Sequence, residues 1–167
     1  FVVGNKLSDR VGLFTERIIS LKAFDAKEPR NGTSDRRTGG NNRASVSNLL
    51  QWLNSSAGPG SWYSAQHSAD EPPNNENVND NYNEYQDEAG FLFFFESDFR
   101  NALMDDTITV TTPHADGGGS EQITKKVRLL TGREVGIVTS GSVEEGIKWP
   151  YFDSDDKRRA KPTPEAV

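Results

Sequence analysis

The sequence predicts an α+β domain in which short helices pack on a small, mostly antiparallel sheet with long polar loops, and three observations predict it. Val46, Leu49, Leu50 and Leu53 recur at i, i+3, i+4 and i+7, one apolar face of a helix. Thr107-Ile108-Thr109-Val110-Thr111 alternates strictly, placing Ile108 and Val110 on one face of a strand. Two long tracts, 25–43 and 64–89, carry almost no apolar residues and read as loops.

Taken in order, Phe1 to Val3 and Val11 to Thr15 read as two short strands joined by a polar turn, a hairpin. Ile18, Ile19, Leu21, Ala23 and Phe24 form a buried, extended run, after which the apolar signal stops until Arg43. The first helix is predicted over Ser45 to Leu53 with Ser45 as its N-cap. Asn54, Ser55 and Ser56 compete for backbone hydrogen bonds and Gly58-Pro59-Gly60 cannot continue a helix, so it stops there. Trp52 lies off the leucine stripe, so it either widens the buried face or packs against the returning loop, where Trp62 and Tyr63 supply more aromatic area.

The tract 64–89 is the most polar part of the chain, rich in asparagine, entered through Pro72-Pro73 and carrying Tyr82 and Tyr85 as its aromatics. It cannot bury enough apolar surface to fold alone, so it is ordered either by side-chain to backbone hydrogen bonds or by contacts with something else. The second alternative predicts that this tract and 25–43, which carry opposite charge, lie against neighbouring subunits or against an expected C-terminal part of the domain. Tyrosine and asparagine are also the residues of adaptable recognition loops, which makes Trp62, Tyr63, Tyr82 and Tyr85 the candidate binding residues.

Gly90 to Phe95 is the densest apolar cluster, and Phe95, Phe99 and Leu103 at i, i+4 and i+8 predict a second helix over Ser97 to Met104. The strand Thr107 to Thr111 should return through a flexible tip, His114 to Ser120, into a strand made by Ile123, Val127, Leu129 and Leu130, whose sheet segment is placed at Val127 to Thr131. Two shorter apolar pieces, Val135 to Val138 and Ile147 to Phe152, follow, and the tail from Asp153 has no periodicity. Trp52, Leu53, Phe91, Phe95 and Leu103 are the predicted core.

At 167 residues the chain fits a single domain, residues 1–167. A hydrophobic share of 33% and a mean hydropathy of −0.73 reflect the polar loops, since the apolar residues come in tight clusters. No apolar run approaches the length of a membrane span, so no membrane insertion is expected. The absence of cysteine removes disulfides, thiolate catalysis and thiolate zinc sites together. Charge is laid out unevenly: residues 1–43 have nine bases against five acids, 44–122 one against thirteen, and 123–167 nine against seven. Phosphate binding needs clustered Lys and Arg, so the acidic middle argues against nucleic acid.

Tests for chemistry return little. His67 with Asp70, and His114 with Asp116, lack the i, i+4 spacing of a helical metal site and a third ligand, so no metal is expected. A calcium loop starting at Asp153 would put Arg158 where glycine is required and Pro164 where the bidentate Glu belongs. No nucleophile elbow, phosphate loop or dinucleotide fingerprint is present, and no catalytic residue or cofactor is expected.

Asn41-Asn42-Arg43, Ser47-Asn48-Leu49, Gln51-Trp52-Leu53-Asn54-Ser55, Gly60-Ser61-Trp62-Tyr63 and Ala89-Gly90-Phe91-Leu92 together resemble the elements of one family. With Lys126-Val127, Leu129-Leu130, Glu134-Val135-Gly136 and Pro150-Tyr151-Phe152, the chain resembles the DUF6273 family of bacterial and phage-derived proteins. Arg128 and Gly132 stand where the resemblance leads one to expect an apolar and a Ser-like residue. The resemblance implies a fold similar to the C-type lectin-like and formylglycine-generating-enzyme group, and a phage or prophage context. Family members continue into Trp-Leu-Arg and Gly-Val-Arg-Pro elements, so the chain is expected to be the N-terminal two-thirds of such a domain.

Two functions from different classes follow. The first is a non-enzymatic virion component, a decoration, fibre or tail-associated module that binds other assembly subunits or a host-surface protein or glycan. It would be located in the phage particle or otherwise on the bacterial surface or outside the cell, and be oligomeric. The alternative is an enzyme-like or glycan-active domain related to the formylglycine-generating group, against whose cysteine- or copper-dependent chemistry the cysteine-free sequence argues.

Overall fold

The computed structural model describes residues 1–78, 84–137 and 146–166. Along the chain run β1 (Val2–Lys6), β2 (Val11–Phe14), α1 (Ser34–Gly39), α2 (Asn48–Leu53), α3 (Ser97–Ala102), β3 (Asp106–Thr111) and β4 (Ser120–Lys125). Short 3-10 turns at Ala44–Val46, Phe91–Phe94, His114–Asp116, Asp156–Arg158 and Pro164–Ala166 punctuate them. This is the expected α+β class: few short helices and two small antiparallel sheets, β1-β2 and β3-β4. Two compact units contain these elements, one from Phe1–Leu21 with Leu129–Val167, the other Lys22–Arg128.

In the first unit β1 and β2 pair from Val2 opposite Phe14 to Lys6 opposite Val11, with a shift between Val3 and Asn5 that leaves Gly4 unpaired. The glycines make room for an aromatic floor. A Cβ on Gly12 would lie 2.8 Å from Trp149 Cη2, and one on Gly4 would strike the same indole. Phe14 packs edge-on to Tyr151 at 4.6 Å between centroids and against Phe152 at 5.1 Å, while Trp149 and Phe152 are buried. Glu134 is 3% exposed and accepts the Thr131 N–H at 2.9 Å, and the Thr131 hydroxyl accepts the Glu134 N–H in return. The predicted piece Val135 to Val138 runs out of the described residues after Ile137.

The second unit is built around α2. Leu50 and Trp52 are two residues and therefore about 200° apart on the helix, so they face opposite sides. Leu50 closes one core with Ile108 and Ile123, which sit opposite each other on β3 and β4. Trp52 enters a second core with Trp62 and Tyr85. The predicted stripe is therefore only half of what the helix buries: Leu49 and Leu53 are half-buried, whereas Asn48, Leu50 and Trp52 are the fully buried positions. Phe91, Phe95 and Leu103 are likewise half-buried rather than interior.

Three sequence expectations are corrected. The cap of α2 is Ser47, whose hydroxyl accepts the Leu50 N–H at 3.3 Å, because Ser45 is taken into the turn Ala44–Val46 and bonds to Glu121 instead. The partner of β3 is Ser120–Lys125, not Val127 to Thr131. Gly117, Gly118 and Gly119 all take positive φ (109°, 69° and 79°), which reverses the chain at once and starts pairing at Thr111 opposite Ser120. Asn54 then ends the strand by accepting the Lys126 and Val127 N–H groups, both at 3.0 Å. The tip itself is docked, since Asp116 is 5% exposed and accepts Arg36 Nε at 3.0 Å.

The tract 25–43 contains α1, which the sequence pattern could not announce because the helix buries no residue. It starts where Asn31 Oδ1 accepts the Thr33 N–H at 2.9 Å and is held by the Arg36–Asp116 ion pair. No described helix is long and apolar enough to cross a membrane.

Candidate functional site

Both polar tracts converge on a clasp of buried carboxylates in the second unit. Asp25, Glu28 and Asp70 are 7%, 0% and 4% exposed. Asp25 Oδ2 accepts the Asn41 backbone N–H at 2.9 Å and Asn41 Nδ2 at 2.6 Å, and Oδ1 accepts the Asn48 N–H at 3.0 Å. Asn48 passes the connection on: its Oδ1 accepts the Ala26 N–H, its Nδ2 donates to Asp70 Oδ1, and Asp70 Oδ2 accepts the Gln66 N–H at 2.7 Å. Glu28 accepts from Asn31 Nδ2 and, at 3.3 Å, from Asn41 Nδ2. Gly40 at φ 72° lets the chain pass the Ala26 carbonyl, which a Cβ would meet.

This arrangement explains the order of tracts that are too polar to collapse. Each buried carboxylate is supplied with donors by the chain itself, so burial leaves few lone pairs empty. The described part of 64–89 continues in the same way. Asn77 O accepts the Lys27 N–H at 2.8 Å, Asn77 Nδ2 donates to Pro72 O, and Pro73 O accepts the Tyr85 and Gln86 N–H groups. Of the two ways of ordering that tract, side-chain to backbone bonding is present in its described residues.

Electrostatics sets Asp25 apart. Burial pushes its carboxyl up to about 7, helped by the Asp70 and Glu28 charges, while the Asn41 and Asn48 N–H groups pull the other way. Glu121 shows the opposite balance. Burial works to raise it, but bonds from the Ser45 hydroxyl and N–H and from Arg43, whose Nη2 lies 2.9 Å away, together hold it below the usual carboxylate range. A cavity of about 200 Å³ borders Asp25 and is lined also by Phe24, Lys27, Asn41, Asn42 and Asn77. Its amide side chains are already engaged: Asn41 with Asp25, Asn42 with Asp116 at 3.4 Å, and Asn77 with Pro72 O.

The predicted binding aromatics fall in three places. Trp62 and Tyr85 are interior, 4% and 1% exposed, stacked at 5.2 Å with an interplanar angle of 14°. Trp62 Nε1 donates to Tyr85 O at 3.0 Å and Tyr85 OH to Ala23 O at 2.9 Å, so these rings serve as packing and present no face to a partner. Tyr63 is half-buried, packs edge-on to Trp62, and has its hydroxyl pK raised by burial and by the neighbouring Asp70 and Glu71. Tyr82 lies outside the described residues.

The histidines separate as well. His67 is half-buried with Nε2 3.2 Å from Glu28 Oε1, close enough to pair when protonated but without the alignment of a hydrogen bond. His114 is exposed at the hairpin tip. Among the described residues no group of three or more His, Asp or Glu is placed to hold a metal ion.

Sequence reasoning missed the clasp and the surface aromatics Phe93 and Phe94, which are 44% and 79% exposed. The apolar run Gly90 to Phe95 was visible, but not that its residues divide between core and solvent. For the clasp, the one available signal was the group of polar residues quoted in the family motifs. Asn41 and Asn48 are clasp residues, and Asn54 and Glu134 make comparable side-chain to backbone bonds.

Fold and site define a small α+β protein whose long polar loops are tied down by buried carboxylate and amide pairs. The chain belongs to the family described as Domain of unknown function (DUF6273), whose model matches residues 9–167. No curated protein and no solved structure matches it.

Proposed function

We propose that this chain is a non-enzymatic structural protein or module of a phage particle, a decoration, fibre or tail-associated component with a C-type lectin-like fold. Its partners are other virion subunits or a protein or glycan of the host surface. The observation that carries the reading is the division of labour in the second unit. Asp25, Glu28 and Asp70 take donors from the chain's own amides and hold the loops as a scaffold, while two phenylalanine rings stand at the surface. A rigid support with exposed aromatics suits recognition. Family membership, through the phage context that the resemblance implies, supports the location.

Quantitative mass spectrometry of density-gradient-purified particles from an induced culture tests it. Several copies per particle are expected; a chain found only in the particle-free fraction overturns the reading.

One observation favours a glycan-active alternative. A carboxyl near 7 beside a cavity, with Asp70 and Glu28 close by, is the kind of group that serves as a general acid. Release of reducing ends from bacterial surface polysaccharides, lost in Asp25→Asn but kept in Glu121→Gln, would establish that activity.

A further inference from the structure

The turn Phe91–Phe94 presents aromatic surface that the second unit does not use. Its backbone is fastened to α2 and the segment just after it: the Gly90 N–H donates to Ala57 O at 3.0 Å, the Leu92 N–H to Ser55 O at 2.9 Å, and Trp52 Nε1 to Ala89 O at 2.9 Å. Gly90 is required there, since a Cβ would lie 2.7 Å from the Ser55 carbonyl carbon. Phe91 and Leu92 turn inward, the first against Trp52 at 5.5 Å between centroids, the second to 5% exposure. Phe93 and Phe94 turn outward, edge to face at 5.2 Å and 90°, with Phe93 standing over Gly58. Water contact of this kind on a fixed turn is unfavourable in the free protein and is relieved when a partner covers it.

Charge says what kind of partner. Residues 87–100, which contain the turn, carry Asp87, Glu88, Glu96 and Asp98 against one base, Arg100. Glu88 is paired with Lys22 at 2.6 Å, whereas Asp87, Glu96 and Asp98 make no ion pair among the described residues. We infer that the Phe93–Phe94 pair is a docking surface for a protein segment that carries a large apolar side chain flanked by lysines or arginines. The apolar side chain covers the rings, the basic stems lie along them, and the charged ends meet the free carboxylates. An anionic lipid surface or nucleic acid would meet repulsion at the same place. A second copy docked symmetrically would bring these carboxylates against their own equivalents.

This inference rests on the reading of the chain as a binding module, and the experiment separates the two. The probes are a dye-labelled peptide with a central Leu-Trp-Leu flanked on each side by two lysines, and a counterpart with glutamates in place of the lysines. Fluorescence anisotropy with the full chain should show binding of the lysine peptide and none of the glutamate peptide. Phe94→Ala should weaken binding by about tenfold or more at an unchanged unfolding midpoint. Glu96→Gln with Asp98→Asn should weaken it by about threefold and flatten its salt dependence.

Equal binding by Phe94→Ala, or of the glutamate peptide, overturns the inference. So does a dimer in sedimentation, or binding to neutral phosphatidylcholine vesicles, that Phe94→Ala abolishes. If the chain is absent from particles but the peptide pattern holds, the surface stands and the virion reading falls. If the chain is in particles and the peptide pattern fails, the reverse is true.

Discussion

Asn48 Nδ2 donates to Asp70 Oδ1 at 3.1 Å from the first turn of α2, and this buried bond joins the helix to the tract that follows Tyr63, beside the exposed pair that Gln51 makes with the Ser64 backbone. The same side chain accepts the Ala26 N–H at 2.9 Å, so one fully buried amide links three segments.

Asn48→Ala therefore strands a buried N–H and a buried carboxylate oxygen together, and should lower stability by roughly 2–5 kcal/mol. Urea unfolding at neutral pH gives the value. Asn48→Asp should cost more than Asn48→Ala at pH 8, because a carboxylate then faces Asp70, and part of that difference should return at pH 5. A variant within experimental error of the wild type would show that the amide is not the link described.

Stability should depend on pH through Asp25. Its carboxyl is raised from 3.8 to about 7 in the folded chain, so the unfolded state releases its proton first. The contribution is fully present below about 4, declines as pH rises, and is gone above about 7, with an upper bound on the order of 4 kcal/mol. Glu121 acts oppositely: its carboxyl is lowered, so its contribution is present at neutral pH and lost as the solution becomes acid. Unfolding midpoints should thus peak in mildly acidic solution. Asp25→Asn should remove the decline towards pH 7, whatever its effect on absolute stability, and carbon-13 titration of the Asp25 carboxyl should locate the midpoint directly.

Leu50 and Leu53 differ in what they contact, although both belong to the same apolar stripe. Leu50 is 2% exposed between Ile108 and Ile123, while Leu53 is half-buried at the margin of the Trp52 cluster. Leu50→Ala should cost roughly 2–5 kcal/mol and Leu53→Ala about 1–2 kcal/mol. Guanidine midpoints of the two variants check the order; a larger loss for Leu53→Ala would mean that α2 is rotated from the orientation described.

The positions of α2, α3, β3 and the β1-β2 hairpin were legible in the sequence within a few residues, because apolar spacing is a local property that survives whatever the rest of the chain does. Strand β4 was not, since three glycines in left-handed conformation decided where pairing resumes, and Asn54, far away in the chain, decided where it stops. Helix α1 left no periodic trace because none of its residues enters the core.

The clasp was illegible for a deeper reason. Asp25 meets Asn41 and Asn48 across 16 and 23 residues, and Asn48 meets Asp70 across 22, so no window of sequence contains the pairing. Polar residues read alone predict solvent; burial becomes tolerable only when the fold brings donor and acceptor together, and that is a tertiary event. The same holds for the aromatics. Sequence put Trp62 and Tyr85 among the candidate binding residues and Phe93 and Phe94 in the densest apolar cluster. Backbone bonds from Gly90 and Leu92 to the segment that follows α2, and the packing of Trp52 between Tyr85 and Phe91, sent the first two inward and the last two to the surface.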